Sequence, residues 1–291
     1  MLNLHFLFRD ELIDLYIDCH AHLFFSPIPE NAIDEDIAGE IPVPNINFIN
    51  KMILNARDEG VSLIVGVISN PNDFPRYQEQ IELEDIIHII GISRNHANED
   101  QSYLNSLLEK EIERKPPHGV GEIGLEYAYG FDKLNEHEKT TFRKNQQQLF
   151  RSQIHVAKEI NVPIVVHAGY GTDKDIVKII KQERAQDVGG QIHGYMSNED
   201  LVSELLDLGF YFSFGYYHSR DEELKRIVEM TPLERILIET DSPYHLLDSP
   251  KRFILPKDVV LIANEIAMLK EIKPEVLANW VMRNSRELFR F

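Results

Sequence analysis

The sequence predicts an α/β protein, a (β/α)8 TIM barrel occupying residues 1–291 as one domain. Three observations lead there. Eight short apolar runs alternate with helical patterns, which specifies parallel strands joined by crossover helices. The runs are apolar along most of their length, as strands covered on both faces are. Histidines and carboxylates stand at the ends of five of these runs, where a barrel of this type keeps its chemistry.

The first run is YIDCHAHL, Tyr16 to Leu23. Alternation along a strand sends Asp18, His20 and His22 to one face, and Cys19 and Ala21 to the other. Residues 1–15 before it read as an N-terminal extension. Its apolar start, MLNLHFLF, is short and has no basic leader, so an extra helical turn is expected rather than a signal peptide. Residues 24–45 after it have no clear period and are punctuated by Pro27, Pro29, Pro42 and Pro44. They hold Glu30, Asp34, Glu35, Asp36 and Glu40 and not one Lys or Arg. A long acidic loop, leaving from the same end as the first histidines and restraining polyanions at the rim, is the expectation.

From there the chain alternates regularly. A helix at 47–59 ends at Gly60 and leads into VSLIVGVIS, 61–69. A helix at 74–84 precedes IIHIIGIS, 86–93, and a helix at 100–114 is stopped by Pro116 and Pro117. GVGEIGLEY, 119–127, is the fourth strand, followed by a long helix at 136–160. VPIVVHAG, 162–169, and GGQIHGY, 189–195, are the fifth and sixth strands, with helices at 173–183 and 198–208. FYFSF, 210–214, and RILIETD, 235–241, complete the eight, separated by a helix at 220–230. Helices at 256–270 and 274–289 close the chain.

The residues of ligand type are His20 and His22 on the first strand, then Glu122, His167, His193 and Asp241 on the fourth, fifth, sixth and eighth. One HxH carries little weight, because histidines fall two apart by chance. A barrel, however, brings its strand ends to one rim, so these residues converge if the fold is right. Histidines with bridging carboxylates suit Zn²⁺, Mn²⁺ or a similar ion. Six ligands exceed what one open site needs, so two divalent ions (Mg, Mn or Zn) are expected, sharing a water whose pKa they lower. The other eight histidines read as structural, with His218 and His245 in rim loops the nearest to a second role.

The formal net charge of −18 argues against a protein that coats nucleic acid, since phosphate binding needs cations, but leaves room for a local patch. The rim loops offer such a patch: Arg94, Lys133, Lys174, Arg220, Lys251 and Arg252, with Tyr127, Tyr129, Tyr170, Tyr195, Tyr216, Tyr217 and Tyr244. Bases stack on aromatic rings at roughly 1–3 kcal/mol each. The candidate substrate contacts are Arg94, Glu126, Tyr127, Tyr170, Tyr195, Arg220 and Tyr244. No run approaches the roughly 18 apolar residues that span a membrane. The single cysteine forbids an intrachain disulfide, in keeping with a reducing compartment. A cytoplasmic monomer is expected.

The segments IDCHAHL, GEIGLEY, PIVVHAG, QIHGY, ETDSPY and NSRELF, in that order, resemble the TatD family of metal-dependent deoxyribonucleases in the amidohydrolase superfamily. The resemblance runs from about Tyr16 to Phe289. It implies a TIM barrel, a two-metal site and 3′–5′ exonuclease or related phosphodiesterase activity on single-stranded DNA or RNA ends. Carried over by motif, His20, His22, Glu122 and Asp241 would hold one ion. Glu122 would bridge to a second ion held by His167 and His193, and Asp241 would also take the proton of the attacking water. Three positions depart from the family pattern. Its Arg two residues after the fifth-strand His is Gly169 here, its GLD is GLE with Glu126, and its GIHP is GISR with Arg94. Gly169 and the acidic loop favour an alternative, a small-molecule amide, lactone or phosphoester hydrolase. A non-catalytic, metal-stabilised binding module is the third reading, and a scaffold has no need of six ligands.

Overall fold

Eight parallel strands form where the sequence is apolar enough to be buried on both faces. They are β1 (Tyr16–Ala21), β2 (Val61–Ile68), β3 (Ile86–Ile90), β4 (Gly119–Leu125), β5 (Ile164–Ala168), β6 (Gly190–Gly194), β7 (Tyr211–Phe214) and β8 (Ile236–Ile238). The structure is a computed structural model and describes residues 16–24, 46–194, 196–243, 245–246 and 249–291. The expected N-terminal extension, the acidic loop beyond Phe24, Tyr195 and Tyr244 lie outside the described residues.

Each strand pairs in parallel with the next, in the order β1 to β8. The seam closes just past the end of β8. Asp241 N–H donates to His20 O and His22 N–H donates to Ser242 O, each at 2.9 Å. Ala21 and Ser242 form a parallel bridge. The result is a closed (β/α)8 TIM barrel.

The helices are α1 (Ile46–Asp58), α2 (Phe74–Gln80), α3 (Gln101–Arg114), α4 (Glu136–Glu159), α5 (Asp173–Gln182), α6 (Glu199–Asp207), α7 (Glu222–Met230), α8 (Val259–Leu269) and α9 (Pro274–Phe289). Their starts are written locally. Asp100, Asn198 and Asp221 cap α3, α6 and α7, and Asn135 with Glu138 forms a capping box on α4. α9 explains the terminal NSRELF. Asn284 Nδ2 donates to Leu233 O and Ile236 O at 2.8 Å each, and Ser285 Oγ meets Cys19 Sγ at 3.3 Å. Both contacts fasten this helix to the strands on either side of the seam.

Several boundaries differ from the sequence expectation, and strands in particular end short of it, β3 at Ile90 and not 93. α2 stops at Gln80 instead of 84, because Gln80 turns inward and donates to Gly66 O at 2.9 Å, and the chain then reaches β3 through Asp85 at φ 62°. β8 ends at Ile238, so Glu239 to Asp241 stand beyond the ladder. An antiparallel hairpin, β9 (His245–Leu246) with β10 (Ser249–Phe253), occupies a stretch expected to be loop. Two-residue pairing of this kind leaves no periodic signal.

Candidate metal centre

Among the described residues three groups of ligand-type atoms meet at the C-terminal rim; two are formed by residues the sequence named, with one glutamate facing both, and the third is His20, His193 and Glu239. In the first group His20 Nε2 and His22 Nε2 are 3.2 Å apart, and Asp241 Oδ1 lies 3.6 Å and 3.5 Å from them. In the second, Glu122 Oε1 lies 2.8 Å from His167 Nδ1 and 3.5 Å from His193 Nε2, with those nitrogens 3.3 Å apart. The other oxygen of Glu122 is 3.4 Å from His22 Nε2. All six residues singled out by the sequence are thus brought together.

Each is held there by its own element. His20 and His22 leave β1 at the seam, clamped through the backbone bonds to Asp241 and Ser242. Asp18 reaches across that seam, where its carboxyl group accepts from Thr240 N–H at 2.9 Å and Thr240 Oγ–H at 2.5 Å. Burial pushes the Asp18 carboxyl up to about 8. Asp241 sits at φ 52°, a region that costs a non-glycine residue energy and recurs at functional sites. Between Glu122 and Glu126, Gly124 at φ 136° is obligatory, because a Cβ there would lie 2.2 Å from His167 O.

The arrangement suits divalent ions. Ligand atoms 3.2–3.6 Å apart in the first group match neighbours around one ion with bonds of about 2.0–2.2 Å. Asp241 Oδ1 is buried with no hydrogen-bond partner, an orphan aimed at two imidazole nitrogens. Burial, then neighbouring His193, holds His20 well below its usual pKa, so its lone pair is free at neutral pH. Burial is overcome at Glu122, where Arg94 and His167 keep the carboxylate ionised well below its usual range. Burial raises Asp241 to about 7, against the pull of His193 and His22. Glu122 is thus held as an anion, while burial and the two imidazoles act on Asp241 in opposite directions.

Sequence reasoning missed Glu239. It is buried, its Oε1 lies 2.8 Å from His193 Nδ1, and its Oε2 accepts from Ser213 Oγ and from Gln191 Nε2. It fixes the far side of the His193 ring so that Nε2 faces Glu122, as carboxylates behind metal-bound imidazoles do. Its acidic side chain in the run RILIETD, two residues before Asp241, was the available signal, but only the structure shows which imidazole it faces.

The expected substrate contacts divide. Arg94, on a short 3-10 turn after β3, places Nη1 2.5 Å from Glu122 Oε1. Tyr170 is exposed at the mouth, edge-on to exposed Tyr129 at 6.3 Å between centroids. Tyr127 instead donates its hydroxyl to Asp175 at 3.0 Å, and its ring lies under Arg143. Arg220 forks onto Glu265 at 2.6 and 2.7 Å and stacks on Tyr216. Glu126 is buried and points toward His167 rather than into the open mouth. His218 is also buried, its Nδ1 accepting from Gly215 N–H at 3.0 Å. Among the described residues no helix is long and apolar enough to cross a membrane.

The family described as TatD related DNase matches residues 17–290. A Bacillus subtilis protein, the uncharacterized metal-dependent hydrolase YabD, is 33% identical over 253 residues, covering 83% of this chain and 92% of that protein. The Escherichia coli metal-dependent hydrolase YcfH is 32% identical over 212 residues, covering 72% of this chain and 75% of its own. Among solved structures, the TatD homolog YjjV of Escherichia coli superposes with a TM-score of 0.79 at 20% identity, covering 97% of this chain and 100% of its own.

Proposed function

The chain belongs to the TatD related DNase family and is a metal-dependent hydrolase, and on that footing we propose that it removes nucleotides from single-stranded DNA or RNA ends in the 3′–5′ direction. The observation that carries this reading is Glu122, one carboxylate with an oxygen toward each of two imidazole groups. His20, His22, Glu122 and Asp241 would hold one divalent ion, and Glu122, His167 and His193 a second. When bound, such ions supply Lewis-acid charge that activates a water and stabilises charge developing on a phosphodiester.

The chain's own residues supply the rest. Asp241, partly open to the mouth and facing both imidazoles of the first group, accepts the proton that water loses on attack. Glu122 stays ionised throughout, since Arg94 faces it at 2.5 Å. The exposed ring of Tyr129 offers a stacking face for a terminal base. The overall charge of −18 keeps polyanion binding local to this mouth.

The test is nucleotide release from a single-stranded oligomer, with and without a chelator, for the wild type and Asp241→Asn. Metal-dependent release is expected from the wild type. Asp241→Asn should retain most bound metal while losing activity by orders of magnitude. Activity within a few-fold of wild type would assign the proton to another base. A second reading has one observation in its favour: Glu126 fills the space beside Gly169, where the family pattern carries a guanidinium. Turnover of a small ester or phosphodiester with the oligomer left intact would establish that small-molecule reading.

A further inference from the structure

Two departures from the family pattern, Gly169 and Glu126, occupy the same space. A Cβ built on Gly169 would lie 2.4 Å from Glu126 Oε2 and 2.8 Å from Leu125 O. Residue 169 must therefore be glycine for the longer acid to lie where it does. That acid is held firmly. Gln146 on α4 brackets its backbone, accepting from Glu126 N–H at 2.9 Å and donating to Glu126 O at 3.0 Å. Its Oε1 accepts from Ala128 N–H at 2.6 Å and from Tyr129 N–H at 3.3 Å. Its Oε2 is left facing His167 Nε2 at 3.7 Å.

On the opposite side of the same ring, His167 Nδ1 faces Glu122 Oε1 at 2.8 Å. A neutral imidazole has one lone pair and one N–H. If Nδ1 gives its lone pair to an ion, Nε2 must carry the proton. That nitrogen is buried and has no hydrogen-bond partner, so its N–H requires an acceptor. Glu126 Oε2 is the acceptor placed toward it, a small ring rotation short of hydrogen-bond length.

We infer that Glu126 is a positioning residue for the second ion. It receives the Nε2 proton of His167, selects the tautomer with its lone pair on Nδ1, and aims that lone pair at the site shared with Glu122 and His193. Glu239 performs the matching task behind His193, so both second-site imidazoles are backed by buried carboxylates. The inference rests on His167 being a ligand of that ion.

Substitution gives an ordering that packing alone would not. In Glu126→Gln the two backbone N–H donors keep the amide oxygen at the Oε1 position, which turns the NH₂ group toward His167 Nε2. A donor there demands the opposite tautomer, with the proton on Nδ1, and removes the ligand. In Glu126→Ala a water can enter and accept from Nε2–H. A side chain needed only for packing would show the reverse order, since Gln preserves volume and Ala does not.

Equilibrium dialysis of the full-length wild type, Glu126→Gln, Glu126→Ala and His167→Ala against graded Zn²⁺ measures the ions bound, with thermal melts as a control for folding. The wild type should bind two ions, and His167→Ala should lose the second. Glu126→Gln should weaken the second ion about ten- to a hundredfold and leave the first unchanged, with a smaller loss in Glu126→Ala. Wild-type affinity in Glu126→Gln, a larger loss in Glu126→Ala, or loss of both ions together in Glu126→Gln would overturn the role of Glu126 while leaving the metal centre standing. Identical Zn²⁺ binding by wild type and His167→Ala would remove His167 as a ligand, and the inference would fall with that reading.

Discussion

At the scale of single residues, the centre is built from ligand atoms the sequence names and from backing groups it does not. His20, His22, Glu122, His167, His193 and Asp241 are legible as a set, because five strand runs end in imidazole or carboxylate at the same rim, although any one of them alone would read as structural. Glu239 and Glu126 act through those residues, and their roles depend on which ring nitrogen they face, a distance no spacing rule supplies. Glu239 makes one prediction. Glu239→Gln keeps the side-chain volume yet replaces an acceptor with an amide that can present a donor to His193 Nδ1, 2.8 Å away. Metal affinity or hydrolytic activity should fall about ten- to a hundredfold, measured by Zn²⁺ dialysis and by turnover of the same substrate. Unchanged values would reduce Glu239 to a buried acid satisfied by Ser213 and Gln191.

At the scale of elements, the loops after the strands carry the chemistry while the helices fasten them. The turn after β7 shows how. His218 is buried there with Nδ1 accepting from the Gly215 N–H, and burial lowers its pKa to about 4. Its folded pKa lies below the unfolded value near 6.5, so the unfolded chain binds the extra proton first as pH falls. The stabilisation is therefore complete above about pH 6.5 and lost as pH falls toward 4, on the order of 3 kcal/mol for the full shift. His218→Gln should flatten that part of the stability profile, read as the difference between wild type and variant in urea melts at pH 7 and pH 4.5. Parallel profiles for the two proteins would contradict it. The same scale holds the boundary errors. Strand β8 ends early because Thr240 is drawn to Asp18 across the seam, and α2 ends early because Gln80 is drawn inward to Gly66.

At the scale of the whole molecule, the barrel gathers a buried acid, a half-buried acid and four imidazoles from five strands, or just past their ends, into one volume. A divalent ion that binds only the folded chain stabilises it by about 2.7 kcal/mol at a hundred times its dissociation constant. Chelation should therefore lower the melting temperature by several degrees, and His167→Ala should show a smaller drop because one site is already lost. Equal melting curves with and without chelator would mean that the centre holds no ion tightly. By itself, the sequence determined the eight-fold alternation, the capping residues Asp100, Asn135, Asn198 and Asp221 that four helices use, and which six residues of ligand type stand at or just past strand ends. Each of these is a local property: the period of an apolar run, the chemistry of a cap, or the residue type at a strand end. Only the tertiary structure decided that Glu122 faces both imidazole groups, that Arg220 and Tyr127 are engaged by Glu265 and Asp175, and that Gly169 makes room for Glu126. Those facts depend on the angle and separation at which residues distant in sequence meet, and the closure of the barrel fixes both.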